Sequence, residues 1–310
     1  MAHEWARRPM DDANPSHDRL LSLLRWLAAF EGVDDRKTGK VFSQNAEDGI
    51  IQHIFGRIGT ESKTYVELGV QDGRECNTRH LRVKHNWTGL MIDGGFHKSE
   101  INLQRHFITT ANVVSLLEKY GFRSSKKLDL LSIDTDCFDF WLTRAVLSAG
   151  YRPRVLINEI NPHVQLAPPR SLSVPHPNDP RTKHYWISRS SDDVTGSYTS
   201  TCWDVSGDVT SYYGASVSAF YRLYRAYNYS MVYCDMHGIN CFGVRDDLLQ
   251  APMRVSEFLT DRMLYRLPHY TQKHCGHYGP SAKPLMLVEV CADPRCEEVH
   301  GNQKHSPSWR

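Results

Sequence analysis

The sequence predicts an α/β fold, with a central, mostly parallel sheet and helices on both faces. Three observations lead there. Thr64–Gly95, TYVELGVQDGRECNTRHLRVKHNWTGLMIDGG, reads as strand, glycine turn, helix and strand, the opening unit of a Rossmann-like nucleotide-binding sheet. Strand and helix patterns then alternate to about residue 161, as right-handed crossovers between parallel strands require. Two later apolar runs, Ser230–Cys234 and Asn240–Val244, are joined by a link too short for a parallel crossover, so they must pair antiparallel.

Taken in order, residues 1–17 are polar and proline-bearing, and Asp18–Phe30 has apolar residues at helical spacing. Val41–Gly59 is a second helix, with Ser43 as N-cap, Ile50, Ile51, Ile54 and Phe55 facing inward, and a polar start (Ser43, Gln44, Asn45, Glu47, Asp48) richer than capping demands. The first strand, Tyr65–Leu68, enters the turn Gly69–Gly73; a helix follows from about Glu75, and the second strand, Gly89–Ile92, stops at Asp93. A helix near His97–His106, a strand near Ile108–Val113 and a helix Ser115–Tyr120 ended by Gly121 come next. Leu128–Ile133 is a buried strand ending in Asp134-Thr135-Asp136, followed by the helix Phe138–Ala149. Arg154–Asn158 is the fifth strand and runs into Glu159-Ile160-Asn161. Pro162–Tyr213 has no period and reads as a lid or substrate loop. Ala215–Tyr227 is a helix before the closing strand pair, and Val255–Leu267 a helix after it. The organisation is thus a tail and helix over 1–40, a domain over 41–250 and an extension over 251–310.

Composition bounds the class. Of 310 residues, 40% are hydrophobic and 23% charged, which suits a globular domain with a sizeable core. A net charge of +2 gives no field strong enough to imply nucleic acid or a membrane surface as partner. No run reaches the roughly 18 apolar residues of a spanning helix, and MAHEWARRPMDDANP lacks the apolar core of a signal peptide, so the expected localisation is cytoplasmic. Of the eight cysteines, Cys76, Cys137, Cys202, Cys234 and Cys241 are scattered and read as free buried thiols. Cys275, Cys291 and Cys296 lie among His274, His277 and His300, but without the Cys-x-x-Cys spacing of a zinc site. Asn86-Trp87-Thr88 and Asn228-Tyr229-Ser230 are glycosylation sequons at a frequency near chance for this length.

Four stretches carry a family resemblance: SQNAEDGII (43–51), YVELGVQDGRECNTRHL (65–81), LLSIDTDCFDFW (130–141) and YYGASVSAFYRLYRAYNYSMVYCDMHGINCFGVRDDL (212–248). The chain resembles FkbM-type and related class I S-adenosylmethionine-dependent methyltransferases. Parallel strands closed by a terminal antiparallel hairpin strand are that class's arrangement and favour S-adenosylmethionine over NAD. An NAD enzyme would need Gly-x-Gly-x-x-Gly where this chain has Gly69-x-x-x-Gly73. The chain departs from the pattern at Gln71, where many methyltransferases have a third glycine, and the lid and extension match nothing in the family.

The resemblance implies that Glu67, Gly69 and Gly73 contact the methionine and ribose parts of the cofactor, with Asp93 on the ribose hydroxyls and Asn77 orienting it. Asn112 falls on the adenine side and Asp134 at the amino group. Gln44 and Glu47 join them if the leader folds over the site. Asp134, Asp136, Glu159 and Asn161 have the oxygen ligands that suit Mg²⁺, and the pattern resembles catechol-type O-methyltransferases, in which such an ion activates a substrate hydroxyl. The metal-free alternative makes Asp136 or His163 the base, with Glu159 a further catalytic candidate and Asp139 a first-turn helix acid. The expected function is methyl transfer to a small-molecule or sugar hydroxyl, or to nitrogen or sulfur of a metabolite. The expected alternative is a non-catalytic interaction module.

Overall fold

The computed structural model describes residues 15–35, 37, 39–161, 171–173, 176–179, 214–251, 253–264, 266 and 288–290. Its leader holds helices α1 (Pro15–Ala28), α2 (Phe30–Val33) and α3 (Glu47–Ile58). Strand β1 (Thr64–Leu68), α4 (Arg79–His85), β2 (Thr88–Asp93), β3 (Leu103–Arg105), α5 (Val113–Lys119), β4 (Leu130–Ile133), α6 (Asp139–Ser148) and β5 (Val155–Glu159) follow. After the short strand β6 (Leu172–Ser173) come α7 (Val217–Ala226), β7 (Tyr229–Cys234), β8 (Asn240–Arg245), α8 (Asp261–Leu264) and β9 (Val288–Glu289).

Seven strands form one sheet in the order β3-β2-β1-β4-β5-β8-β7. The strands β1 to β5 pair in parallel, and β8 runs antiparallel to β5 and β7. This is a Rossmann-like α/β architecture. Side chains alternate across the central strands: Val66, Leu68, Leu131, Ile133 and Leu156 bury against Leu117, Phe140, Val146 and Phe220 on one face. Tyr65, Met91, Leu130, Val155 and Ile157 bury against Leu23, Trp26, Ile50 and Ile54 on the other. Each such side chain gains about 1.5–3 kcal/mol by leaving water, so packing on both faces, more than strand propensity, holds the short strands.

The leader is part of this packing. Trp26 and His53 exchange hydrogen bonds with each other's backbone carbonyls at 3.3 and 2.9 Å, and Phe30 stacks on Tyr233 with ring centroids 4.7 Å apart. Buried Asp34 accepts from the Tyr233 hydroxyl at 3.0 Å and from Met236 N at 2.6 Å, which ties the leader to the β7–β8 hairpin. Part of the extension is also tied in. Strand β9 pairs antiparallel with β6, Val290 N donates to Ser171 O at 2.7 Å, and Ser173 bridges to Ala215.

Four expected elements differ. The helix expected over Val41–Gly59 begins only at Glu47, and Ser43 is not its N-cap, because Asp48 Oδ2 gathers the N–H groups of Val41, Phe42 and Ser43 and the Ser43 hydroxyl into a loop. In place of a helix over 97–106 there is a single 3-10 turn, Ser99–Ile101, and then β3. Asn102 takes a left-handed φ of 53° there, which stops a helix, and Leu103 buries by pairing with Met91. The strand expected near 108–113 is a loop, because Asn112 Oδ1 accepts from Thr109 N at 2.8 Å and Asn112 Nδ2 donates to Phe107 O at 2.9 Å. Such a local turn competes with extended pairing. The helix expected over 255–267 is reduced to a 3-10 turn, Val255–Glu257, and α8. His163, Trp203, Tyr212, Tyr213 and the Cys/His tail lie outside the described residues.

Gly69 is the tightest point of the sheet. Its φ is +79°, and a Cβ there would lie 1.6 Å from the Asp134 carbonyl oxygen. Gly69→Ala is therefore expected to cost on the order of 3 kcal/mol or more, measured as a lowered urea midpoint. Wild-type stability in that variant would remove the close approach as a constraint.

Candidate active site at the carboxyl edge of the sheet

In an open parallel sheet, ligands bind beyond the carboxyl ends of the strands. Here that edge begins with the turn after β1. Gly69 N donates to Ile92 O at 2.9 Å, Gly73 N donates to Val70 O at 2.9 Å, and Gly73 has φ +74°. Gln71, standing where a glycine was expected, adopts φ 49°. It is held there because its N–H donates to Asp93 Oδ2 at 2.8 Å. Asp93 Oδ1 accepts from Gly95 N at 2.8 Å, so this one carboxylate ties the β1 turn to the loop after β2. Lys98 adds a second tie, from Nζ to Asp72 O at 2.6 Å and to Asp72 Oδ2 at 3.2 Å. Burial raises the Asp93 carboxyl above the usual range.

Glu67 lies under the turn, buried, and is occupied by the chain itself. It accepts from Asn77 N at 2.7 Å and from Thr78 N at 3.1 Å, and also from the Thr78 hydroxyl. It therefore fixes the approach to α4. Asn77 Nδ2 donates to Ser132 Oγ at 3.1 Å and joins this segment to β4. The Asn112 amide is spent on its own loop, through Thr109 and Phe107.

Acids converge beyond β4 and β5. One carboxylate oxygen each from Asp134, Asp136 and Glu159 lie within 4.8 Å of one another. Asp136 has φ 63°, and the Asp134 and Asp136 carboxylates accept no hydrogen bond among the described residues. Asp139 Oδ1 accepts from Thr135 N at 2.7 Å and Oγ1 at 3.3 Å, while its Oδ2 is buried without a hydrogen bond. Burial, then repulsion by Asp136, Asp139, Glu47 and Glu67, raises Asp134 well above the carboxylate range. Burial, then Asp134, Asp136 and Asp139, does the same to Glu159. Asp136 is pushed up to about 6 by burial and then by Asp93, and Asp139 to about 7, mainly by burial. Asn161, two residues past Glu159, is buried, with its N–H donating to Ala215 O at 2.8 Å.

The leader reaches this edge through Glu47. Its Oε1 accepts from Asn240 Nδ2 at 3.1 Å, and Asn240 is the register partner of Glu159. Glu47 also accepts from Asn45 N at 2.8 Å, Ala46 N at 3.0 Å and Asn45 Nδ2 at 3.1 Å, so its carboxylate is well satisfied within the protein. Gln44 is exposed, and its carbonyl accepts from Lys40 Nζ at 2.9 Å.

Sequence reasoning passed over three contributors. Thr78 clamps Glu67, and Asn240 joins the leader to β8 while its Oδ1 stays buried without a hydrogen bond. Asp235 folds the hairpin turn by accepting from His237 N at 2.8 Å, from Ile239 N at 3.2 Å and from Asn240 N; burial and then Glu47 push it up to about 8. The Asp-x-x-Gly spacing of Asp235 and Gly238 was the available signal. No protein-family model matches the chain, and comparison with curated proteins finds no relative.

These raised carboxyls make stability depend on pH. An acid whose folded pKa exceeds its unfolded value near 3.8 holds its proton only when folded. Its contribution is complete below about pH 4 and is lost as pH rises through about 6 for Asp136 and about 7 for Asp139. In EDTA-containing buffer, unfolding free energy should fall between about pH 4 and 7, each group adding a slope of up to about 1.4 kcal/mol per pH unit between its unfolded and folded values. Asp139→Asn should flatten that slope in urea titrations. An unchanged slope would mean that Asp139 does not titrate in this range.

Proposed function

We propose that the protein is an S-adenosylmethionine-dependent methyltransferase acting on the hydroxyl of a small molecule or sugar. The observation that carries this reading is a juxtaposition. The glycine turn with Asp93 and the trio Asp134, Asp136 and Glu159 open on one edge of a parallel sheet closed by an antiparallel hairpin. Asp93, already accepting two backbone N–H groups, keeps lone pairs for ribose hydroxyls. The strained Gln71 turn leaves the main chain open to close approach. Bound S-adenosylmethionine supplies a methyl group on a positively charged sulfur, and a cleft lined with carboxylates suits that charge.

The acid trio then has to take the acceptor's proton. Asp136, with a carboxyl pushed up to about 6, is poised as general base near neutral pH. Glu159 and Asp134 sit beside it to orient the hydroxyl.

The same trio supports a second reading with a divalent cation. Asp134, Asp136 and Glu159, with carboxylate oxygens within 4.8 Å of one another, would hold a hard divalent cation such as Mg²⁺ or Ca²⁺. Such an ion would relieve the repulsion and lower the pKa of a bound hydroxyl.

A non-catalytic module would have no need of the converging acids Asp134, Asp136 and Glu159, which repel one another. As to localisation, no described helix is long and apolar enough to cross a membrane.

S-adenosylhomocysteine should bind in calorimetry, and Asp93→Asn should weaken it at least about tenfold, or about 1.4 kcal/mol. An absence of binding to both cofactor forms sinks the reading. For the ion, Ca²⁺ or Mg²⁺ should raise the melting temperature at pH 8, with the gain lost in Asp136→Asn. A melting temperature indifferent to both ions and to EDTA leaves the metal-free base.

A further inference from the structure

The cysteines contradict the expectation of free thiols. Cys234 and Cys241 face each other as register partners on β7 and β8 and form a disulfide. Both are fully buried. Cys137, in the loop that carries Asp134 and Asp136, is disulfide-bonded as well. Among the described cysteines only Cys76 is a free thiol, and it is buried. Cytosolic thiol pools keep structural cysteines reduced, so oxidised pairs of this kind belong to oxidising compartments.

A second feature, independent of the cysteines, agrees. Asn86 of the sequon Asn86-Trp87-Thr88 ends α4 in the left-handed conformation, with φ 56°. It is exposed, as is Thr88, and its side-chain amide makes no hydrogen bond among the described residues. Trp87 between them is buried against Phe55, ring centroids 4.9 Å apart, which anchors the turn and presents Asn86 outward. The other sequon also has an exposed, left-handed asparagine, with φ 61° at Asn228, but its remaining groups are engaged. Ser230 is fully buried and donates to Asp246 Oδ1 at 2.6 Å, and Asn228 Oδ1 accepts from Arg254 Nη2 at 2.9 Å. Asn86 also precedes the amino end of β2, at the sheet edge opposite Asp93 and the acid trio, so a bulky group there leaves the candidate site open.

We infer that the chain folds in an oxidising, glycan-attaching compartment, where Cys234 and Cys241 are joined and Asn86 carries an N-linked glycan. In the first reaction the two thiols pass two electrons and two protons to a disulfide-bearing oxidoreductase, which is reduced to its dithiol. In the second, Asn86 Nδ2 bonds to the anomeric carbon of a lipid-pyrophosphate-linked oligosaccharide. The lipid pyrophosphate leaves, and the amide gives up one proton.

The test uses the full chain isolated from the cells that make it, unfolded in denaturant and alkylated before any reductant is added. Cys234 and Cys241 are expected to resist alkylation until reduced. A peptide N-glycosidase is expected to shift the chain to faster mobility and convert Asn86 to Asp in the mass spectrum. Asn86→Gln and, as a control that leaves the turn residue in place, Thr88→Val should each abolish the shift while unfolding stays cooperative. An unmodified Asn86 peptide as the main species overturns the inference, as does direct alkylation of Cys234 and Cys241. Neither readout depends on methyl transfer.

Discussion

The close approach of Gly69 to the Asp134 carbonyl fixes the geometry of everything at the carboxyl edge. Gly69 N reaches Ile92 O on one side, and Asp134 N reaches Leu68 O at 3.0 Å on the other. The ends of β1, β2 and β4 are thereby drawn together at one point where no side chain fits. The turn Gly69–Gly73 cannot shift without moving Asp134, and Asp93 reads the turn through Gln71. A site assembled from three strand ends thus acquires the rigidity of one. Such rigidity is what the methyl transfer proposed above would require, since misplacing reacting atoms by an ångström costs orders of magnitude in rate.

Within this frame the carboxylates divide by their donors. Asp48 Oδ2 accepts from Val41 N, Phe42 N, Ser43 N and the Ser43 hydroxyl at 2.6–2.8 Å. Glu47, Glu67 and Asp235 are likewise surrounded by backbone N–H groups. Hydrogen bonds to a charged acceptor contribute about 1.5–3 kcal/mol each, enough to hold these acids as fold-building groups. Asp134 and Asp136 receive no such donors among the described residues and repel their neighbours instead. An arrangement that costs the fold stability marks these acids as candidates for a functional role.

The periodicity that made the sheet legible was strong where strands are buried on both faces: Tyr65–Leu68, Leu128–Ile133 and Arg154–Asn158 were all recognisable as apolar runs. It failed between Asp93 and Val113, where Asn102 and Asn112 set the chain by side-chain-to-backbone bonds that have no period. Much of the site was legible as residue types, because strand-end glycines and acids are a positional pattern. Their jobs were not. Whether Glu67 faces a ligand or holds the start of α4 depends on Thr78, and whether Ser43 caps a helix or closes a loop depends on where Asp48 turns its carboxylate. The disulfide was hidden for the same reason: Cys234 and Cys241 have no diagnostic spacing until the hairpin register puts them opposite each other.

That register connects the hairpin to the site. Asn240 and Cys241 are successive residues of β8. Asn240 pairs with Glu159 and binds Glu47, while Cys241 is joined to Cys234. Asp235, the residue that follows β7, gathers the whole connecting loop by accepting from His237, Ile239 and Asn240. A covalent link and a buried carboxylate therefore fix the same short loop from two sides. Opening the disulfide would remove the covalent part of the hold on Asn240, through which the leader meets Glu159's strand. The hairpin that closes the sheet is in this way also a wall of the candidate site.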